Sequence, residues 1–179
     1  QQRLAAGTPV THSAKLHFER STERWWQKPL AVVAGRHLPA ELAVLRASMK
    51  AGERGAWLNS RRVGLATVDL SRDRSGKFQT VRVALPPFVA EALRDLYEET
   101  QLKKGAPDLV VWHEGTGRIR FVEVKNPLWD RPSDEQLQFL SAAREKGMPT
   151  EIAEWGFRPQ SAAAQKRLAP RMTPKRCQG

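Results

Sequence analysis

Cysteine is nearly missing from this chain. One residue, Cys177, among 179 excludes an internal disulfide framework and any cysteine-rich zinc site, and is compatible with a reducing interior. The four histidines, His12, His17, His37 and His113, show no metal-ligand spacing. No stretch approaches the roughly 18 consecutive apolar residues of a membrane-spanning helix, so no membrane partner is expected. There is no internal repeat. The first ten residues, QQRLAAGTPV, lack both an initiator Met and a charged-then-apolar leader, as expected of an excerpt from a longer chain. Acids are scarce: 19 Asp+Glu face 30 Lys+Arg, for a formal charge of +11. From Arg158 onward there are six positive and no negative side chains, and setting those six aside takes +11 to +5 for the rest. A basic surface of this kind favours polyanions, nucleic acid first.

What is present is ordinary for a folded domain: 40% hydrophobic and 27% charged residues. Residues 1–37 read as an N-terminal arm or packing segment, weakly patterned to about residue 20, with Trp25 and Trp26 as packing anchors or, in a sharper reading, base-stacking groups. LPAELAVLRASMK predicts a helix with Pro39 in its first turn and Leu42, Leu45 and Met49 on one face. RRVGLATVDL and KFQTVRVAL predict two antiparallel strands around the turn SRDRSG. FVAEALRDLYEETQL, opened by Pro86 and Pro87, predicts an amphipathic helix with Val89, Leu93, Leu96 and Tyr97 inward. A further helix begins at Ser133, with Leu137 and Leu140 inward, and stops at Gly147. TEIAEWGF predicts the final strand. The segment 158–179 is basic and too poor in apolar residues to pack by itself. The order helix, strands, helix, hairpin, helix, strand makes residues 38–157 a mixed α/β domain.

The stretch APDLVVWHEGTGRIRFVEVK, residues 106–125, alternates like a hairpin yet carries Asp108, Glu123 and Lys125. With a loop centred on Gly115 and Thr116, paired positions sum to 231 and Asp108 faces Glu123. Sliding the loop one residue places Asp108 opposite Lys125 instead. Any even-length loop keeps all three on one face, because side chains alternate with period two. Directly opposed residues on paired strands stand about 5 Å apart at Cβ, where two carboxylates repel. A divalent cation between them relieves that cost, and all-oxygen ligation suits Mg²⁺ or Mn²⁺. Lys125 then projects toward the same place and can stabilise developing negative charge. Acidic ion ligands in a basic protein suggest phosphodiester cleavage.

GAPDLVVW, FVEVKNP and SDEQLQFL together resemble the VRR-NUC branch of the PD-(D/E)XK nucleases, in the style of the Fanconi-associated type, clearly over residues 104–156. The resemblance implies a restriction-endonuclease-like mixed sheet flanked by helices and Mg²⁺- or Mn²⁺-dependent cleavage of DNA, structure-selective for flaps or junctions in repair or recombination. It implies Asp108 and Glu123 as metal ligands, the Val124 main-chain carbonyl as a third, Lys125 as the catalytic lysine and Gln136 as the helix glutamine. Gln136 also fits a capping box with Ser133, and the two roles can coexist. The family's tryptophan three residues beyond that glutamine is Phe139 here. The family's upstream glutamate finds its nearest analogue at Glu53, in AGERGAWL; Glu98 and Glu99 lie nearer the site in sequence, and Glu91 is a weaker choice. Lys103, Lys104, Arg61 and Arg62 are candidate phosphate contacts. The expected place of action is the cytoplasm or nucleoid. The competing expectations are an antibacterial DNase effector domain, acting in a target cell and silenced at home by an immunity protein, and a non-catalytic DNA-binding module.

Overall fold

Two central strands, one an unbroken apolar run but for its last residue and the other buried over most of its length, are covered on both faces of the sheet, and everything else is arranged around them. These are β8 (Leu109–His113) and β9 (Arg118–Lys125) of a computed structural model that describes residues 11–58 and 64–159. In chain order the other elements are β1 (Thr11–His12), β2 (Leu16–Trp25), β3 (Lys28–Val33), β4 (Arg36–Leu38), α1 (Ala40–Ser48), β5 (Glu53–Trp57), β6 (Leu65–Arg72), β7 (Phe78–Ala84) and α2 (Pro87–Thr100), then, after β9, α3 (Asp134–Glu145) and β10 (Thr150–Phe157). The strands form one mixed sheet in the order β4-β3-β2-β10-β9-β8-β5-β6-β7, with β1 and β2 following one another along the same edge of β10. β10 runs parallel to β9 and β2, while β8 runs antiparallel to both of its neighbours, β5 and β9. This is the expected mixed α/β architecture, a sheet flanked by three helices.

Each face has its own core. On one, α1 lays Leu42, Val44 and Leu45 over Leu109, Val111, Val122 and Val124. On the other, α2 and α3 bring Val89, Leu93, Leu96, Phe139 and Leu140 onto Val110, Trp112, Ile119 and Phe121. The expected helices and the strands β6, β7 and β10 form where their patterns place them. Pro39 is the N-cap residue of α1 and Pro87 opens α2, where a missing N–H costs nothing. Ser133 caps α3 with a complete capping box, and Gly147 follows its last turn at φ +77°. Leu137 corrects the expected inward face of α3: it is exposed, and Phe139 takes the buried position.

The largest departure lies before residue 38. The stretch expected as an arm is, from Leu16, sheet: β2 pairs with β10 and carries the buried Phe18, and β3 and β4 follow as antiparallel neighbours. The sequence LHFERSTERW hides this because only part of the strand meets the core, so its polar residues break the alternation. The tryptophan pair divides. Trp25 packs edge-on against Trp57, with ring centroids 6.1 Å apart, whereas Trp26 is 82% exposed. Arg61, Arg62 and the tail from residue 160 lie outside the described residues.

Phe139 is fully buried and meets Phe121 and Tyr97 edge-on at 5.5 and 5.4 Å. Phe139→Ala is expected to lower the free energy of unfolding by about 3–5 kcal/mol, measured by urea denaturation. A loss under about 1 kcal/mol would show that this ring is not a core anchor.

Candidate active site

The hairpin register decides which side chains meet. Leu109 pairs with Val122 and His113 with Arg118, so partners sum to 231 and Asp108 faces Glu123 just beyond the end of β8; the loop is the four residues 114–117. The two acids are tied crosswise. Asp108 Oδ2 accepts from the Val124 N–H at 2.9 Å, and Glu123 Oε2 accepts from the Asp108 N–H at 3.3 Å. Leu58 N–H donates to the Asp108 carbonyl at 2.7 Å, extending the β5 ladder past its end to hold the same residue.

Glu123 is 0% exposed, and its Oε1 receives both the Lys125 ammonium at 2.7 Å and the Gln136 side-chain amide. Gln136 does this while its Oε1 accepts from the Ser133 N–H at 2.9 Å, so the capping role and the site role coexist in one amide. Lys125 is buried along its stem, and its ammonium also meets Asp130 at 3.2 Å. Asp130 is set by a tight turn in which Asn126 O accepts from its N–H at 2.9 Å and Asn126 Oδ1 accepts from Leu128 N–H.

Burial, then the charge of Glu123, push the Asp108 carboxyl well above its ordinary value; Glu41 adds to this, against the Val124 N–H and Lys125. Burial likewise raises Glu123, although its ion pair with Lys125 favours the ionised form; desolvation outweighs the pair. For Lys125, burial alone would lower the value, but Glu123, Asp108 and Asp130 outweigh it and the ammonium holds its proton more tightly than usual. Lys125 therefore stands beside the two acids as a cation.

Glu53 does not join this group. It lies at the other end of β5, opposite His113, where Arg120 grips it at 3.1 and 2.9 Å and also holds Glu151 at 3.0 Å. Its assignment as metal ligand is corrected by that separation: Trp57, not Glu53, is the β5 residue level with the acids. A cleft of about 710 Å³ also opens at the Glu53–Arg120 end and is not the carboxylate site. The acid that sequence reasoning missed is Glu41, in the first turn of α1, half-buried, held by Lys28 at 3.0 Å and near enough for its charge to act on Asp108. Its signal was a single acid on a helix whose next four residues are all buried and apolar. Asp130 was missed as well, masked by an irregular loop. Lys103 is exposed, and Lys104 pairs with Glu135 at 3.3 Å beside the α3 N-terminus, next to Gln136.

Among the described residues no three acids, histidines or cysteines are grouped as a ready-made ion site. The donor chemistry nevertheless fits a hard cation: two opposed carboxylates whose ionisation is disfavoured by burial and, for Asp108, also by the charge of Glu123.

A family model for the VRR-NUC domain matches residues 56–155, more than half of the 179. The chain belongs to the VRR-NUC family. No curated protein matches it. Among solved structures, paFAN1 bound to 2-nt 5′-flap DNA with a gap is 28% identical over 43% of this chain and 16% of that chain, with a TM-score of 0.34. paFAN1 bound to 1-nt 5′-flap DNA with a gap is 33% identical over 42% and 14%, with a TM-score of 0.33. The VRR-NUC chain is thus similar to about one-sixth of the first of these in length. The VRR-NUC match begins after both α1 and Glu53, so it leaves the upstream acid to the geometry.

An acid raised in the folded state binds its proton more tightly there than in the unfolded chain, so ionisation opposes folding. The contribution of protonated Asp108 is full below its unfolded value of 3.8 and is lost as pH rises through the higher folded value. Asp108→Asn, which still offers Val124 an acceptor, is therefore expected to unfold at higher urea than wild type at pH 7 in chelator-treated buffer. The gap should close as pH falls below 3.8, and Mg²⁺ should narrow it by stabilising wild type alone. A variant less stable than wild type at pH 7 without metal would contradict the assigned repulsion.

Proposed function

We propose that this VRR-NUC domain is a divalent-cation-dependent deoxyribonuclease selective for flapped or branched DNA. The observation that carries the reading is the opposition of Asp108 and Glu123, each tied to the other's strand, with the Lys125 ammonium 2.7 Å from Glu123. Asp108 and Glu123 would hold Mg²⁺ or Mn²⁺, with the Val124 main chain beside them and Glu41 as the nearby acid from α1. When bound, the cation neutralises the acids and lowers the charge barrier to attack on a phosphodiester.

The chain's own residues divide the remaining work. Lys125 keeps its proton and supplies a fixed positive charge where phosphate oxygens gain negative charge. Gln136 fixes the Glu123 carboxylate, and Asp130 fixes the Lys125 ammonium, so neither has to be ordered when substrate arrives. The exposed Lys103 and Lys104, together with the overall +11, favour the DNA backbone. Preference for flaps or junctions and a role in repair are what the family implies for this site.

Asp108→Ala and Lys125→Ala are expected to slow cleavage of plasmid and flapped DNA by about 100-fold or more in Mg²⁺ or Mn²⁺. Glu41→Gln should be similarly impaired, while Glu53→Gln, once shown to be folded, keeps a rate near wild type. Gel-based initial rates check this. Equal cleavage by wild type, Asp108→Ala and Lys125→Ala would end the assignment; loss in Glu53→Gln but not Glu41→Gln would reverse the choice of third acid.

A further inference from the structure

The turn between β2 and β3 presents a tryptophan where a small residue would fit better. Trp25 pairs with Lys28, leaving Trp26 and Gln27 as the two-residue turn, and Trp26 sits at φ +57°. Left-handed backbone costs a bulky residue about 1 kcal/mol or more, and such turns favour Asn or Gly. Trp26 recovers nothing by packing, since it is 82% exposed. Strain kept at an exposed aromatic tip points to a contact made outside the chain.

Its surroundings define the partner. The β6–β7 turn lies alongside, and between the two tips is a cleft of about 560 Å³ with Trp25, Trp26, Arg72 and Phe78 among its walls. The segments 23–28 and 72–78 carry Arg24, Lys28, Arg72, Arg74 and Lys77 against Glu23 and Asp73. Both acids are already occupied. Glu23 is bound by Arg72, and Asp73 accepts from Ser75 and from the Lys77 N–H inside its own turn. Arg24 and Arg74 are exposed and have no acidic partner among the described residues. An exposed indole with the unpaired Arg24 beside it and the unpaired Arg74 on the neighbouring turn is suited to a base and its flanking phosphates. The lip also adjoins the active site: Lys28 of the same turn holds Glu41 and lies 5.1 Å from the Trp57 ring, whose residue pairs with Leu109 next to Asp108.

We propose that the β2–β3 and β6–β7 turns form an accessory docking lip for unpaired nucleotides, with Trp26 stacking on a base and Arg24 and Arg74 meeting the adjoining phosphates. The inference rests on the nucleic-acid reading of the neighbouring site, and it adds a place for a single-stranded segment leaving that site.

Titration of the cleavage-silent Asp108→Asn protein with a labelled single-stranded oligonucleotide tests it, alone and combined with Trp26→Gly, a change the left-handed turn accommodates. Trp26→Gly should weaken binding about fivefold or more, the lower end of loss of one stacked base. Arg24→Ala with Arg74→Ala should weaken it and flatten its salt dependence. A blunt duplex should show no dependence on Trp26. If Trp26→Gly binds the single strand within twofold of its parent while wild type cleaves DNA, the lip is overturned and the nuclease reading stands. If wild type cleaves nothing yet binds the single strand through Trp26, the lip stands and the nuclease reading falls. Failure of every protein to bind the single strand overturns the lip, and the nuclease reading then stands or falls on whether wild type cleaves DNA.

Discussion

Adjacent strands do not hold two buried carboxylates face to face unless other bonds compel them. Here the compulsion is the crosswise pair in which Asp108 accepts from Val124 and Glu123 accepts from Asp108. Each bond satisfies a main-chain donor and, by the same act, fixes an acid against its neighbour. The cost of that arrangement is met by the apolar layers on both faces, where Leu109 and Val122 bury against α1 while Val110 and Phe121 bury against α2 and α3. Lys125 and Gln136 are consequences of the same register. Alternation puts Lys125 on the face of Glu123, and the packing of Phe139 on Phe121 seats α3 so that its first turn meets Glu123.

The two ends of the hairpin use charge in opposite ways. At the turn end, Arg120 is shared between Glu53 and Glu151, a half-buried network in which cation and acids satisfy one another. Such a network has little left over for a ligand. At the other end the acids are raised rather than lowered, because the lysine beside them does not offset their burial, to which the charge of Glu123 adds for Asp108. The contrast separates a structural carboxylate from one suited to chemistry more clearly than sequence context did: Glu53 and Glu123 are both acids on central strands, and only their partners differ.

The hairpin and its site were legible because period two leaves few choices. Once a loop of even length is assumed, Asp108, Glu123 and Lys125 share a face, and the observed register is one of the two the spacing allowed. For Gln136 the Ser133 spacing made the capping role legible, while its place at the site came from the family resemblance. Glu41 was not, since nothing in PAELAVL says that α1 ends over the same strand tips; that fact belongs to tertiary packing. β5 was also missed, because ERGAW is short and contains a glycine, and Gly55 is needed where a Cβ would meet Leu45 at 2.5 Å. The tryptophan pair could be assigned no further than packing or stacking, because adjacent residues at a turn part company in ways that periodicity does not encode.

A charge inventory of the site end gives the remaining step. Glu41, Asp108, Glu123 and Asp130 face two ammonium groups, Lys28 and Lys125, each already paired with one or two of these acids. The balance is two negative charges in excess, within a chain that is otherwise strongly positive. Excess negative charge in a partly desolvated place adds to the effect of burial on an acid, as Glu123 and Glu41 do on Asp108, and equally creates affinity for a small cation of charge two. The basic remainder of the surface would draw a polyanion toward that same place without itself filling it. In the proposed function the acids would take the ion and Lys125 the phosphate, and the hairpin register is what sets these two kinds of charge side by side on one face.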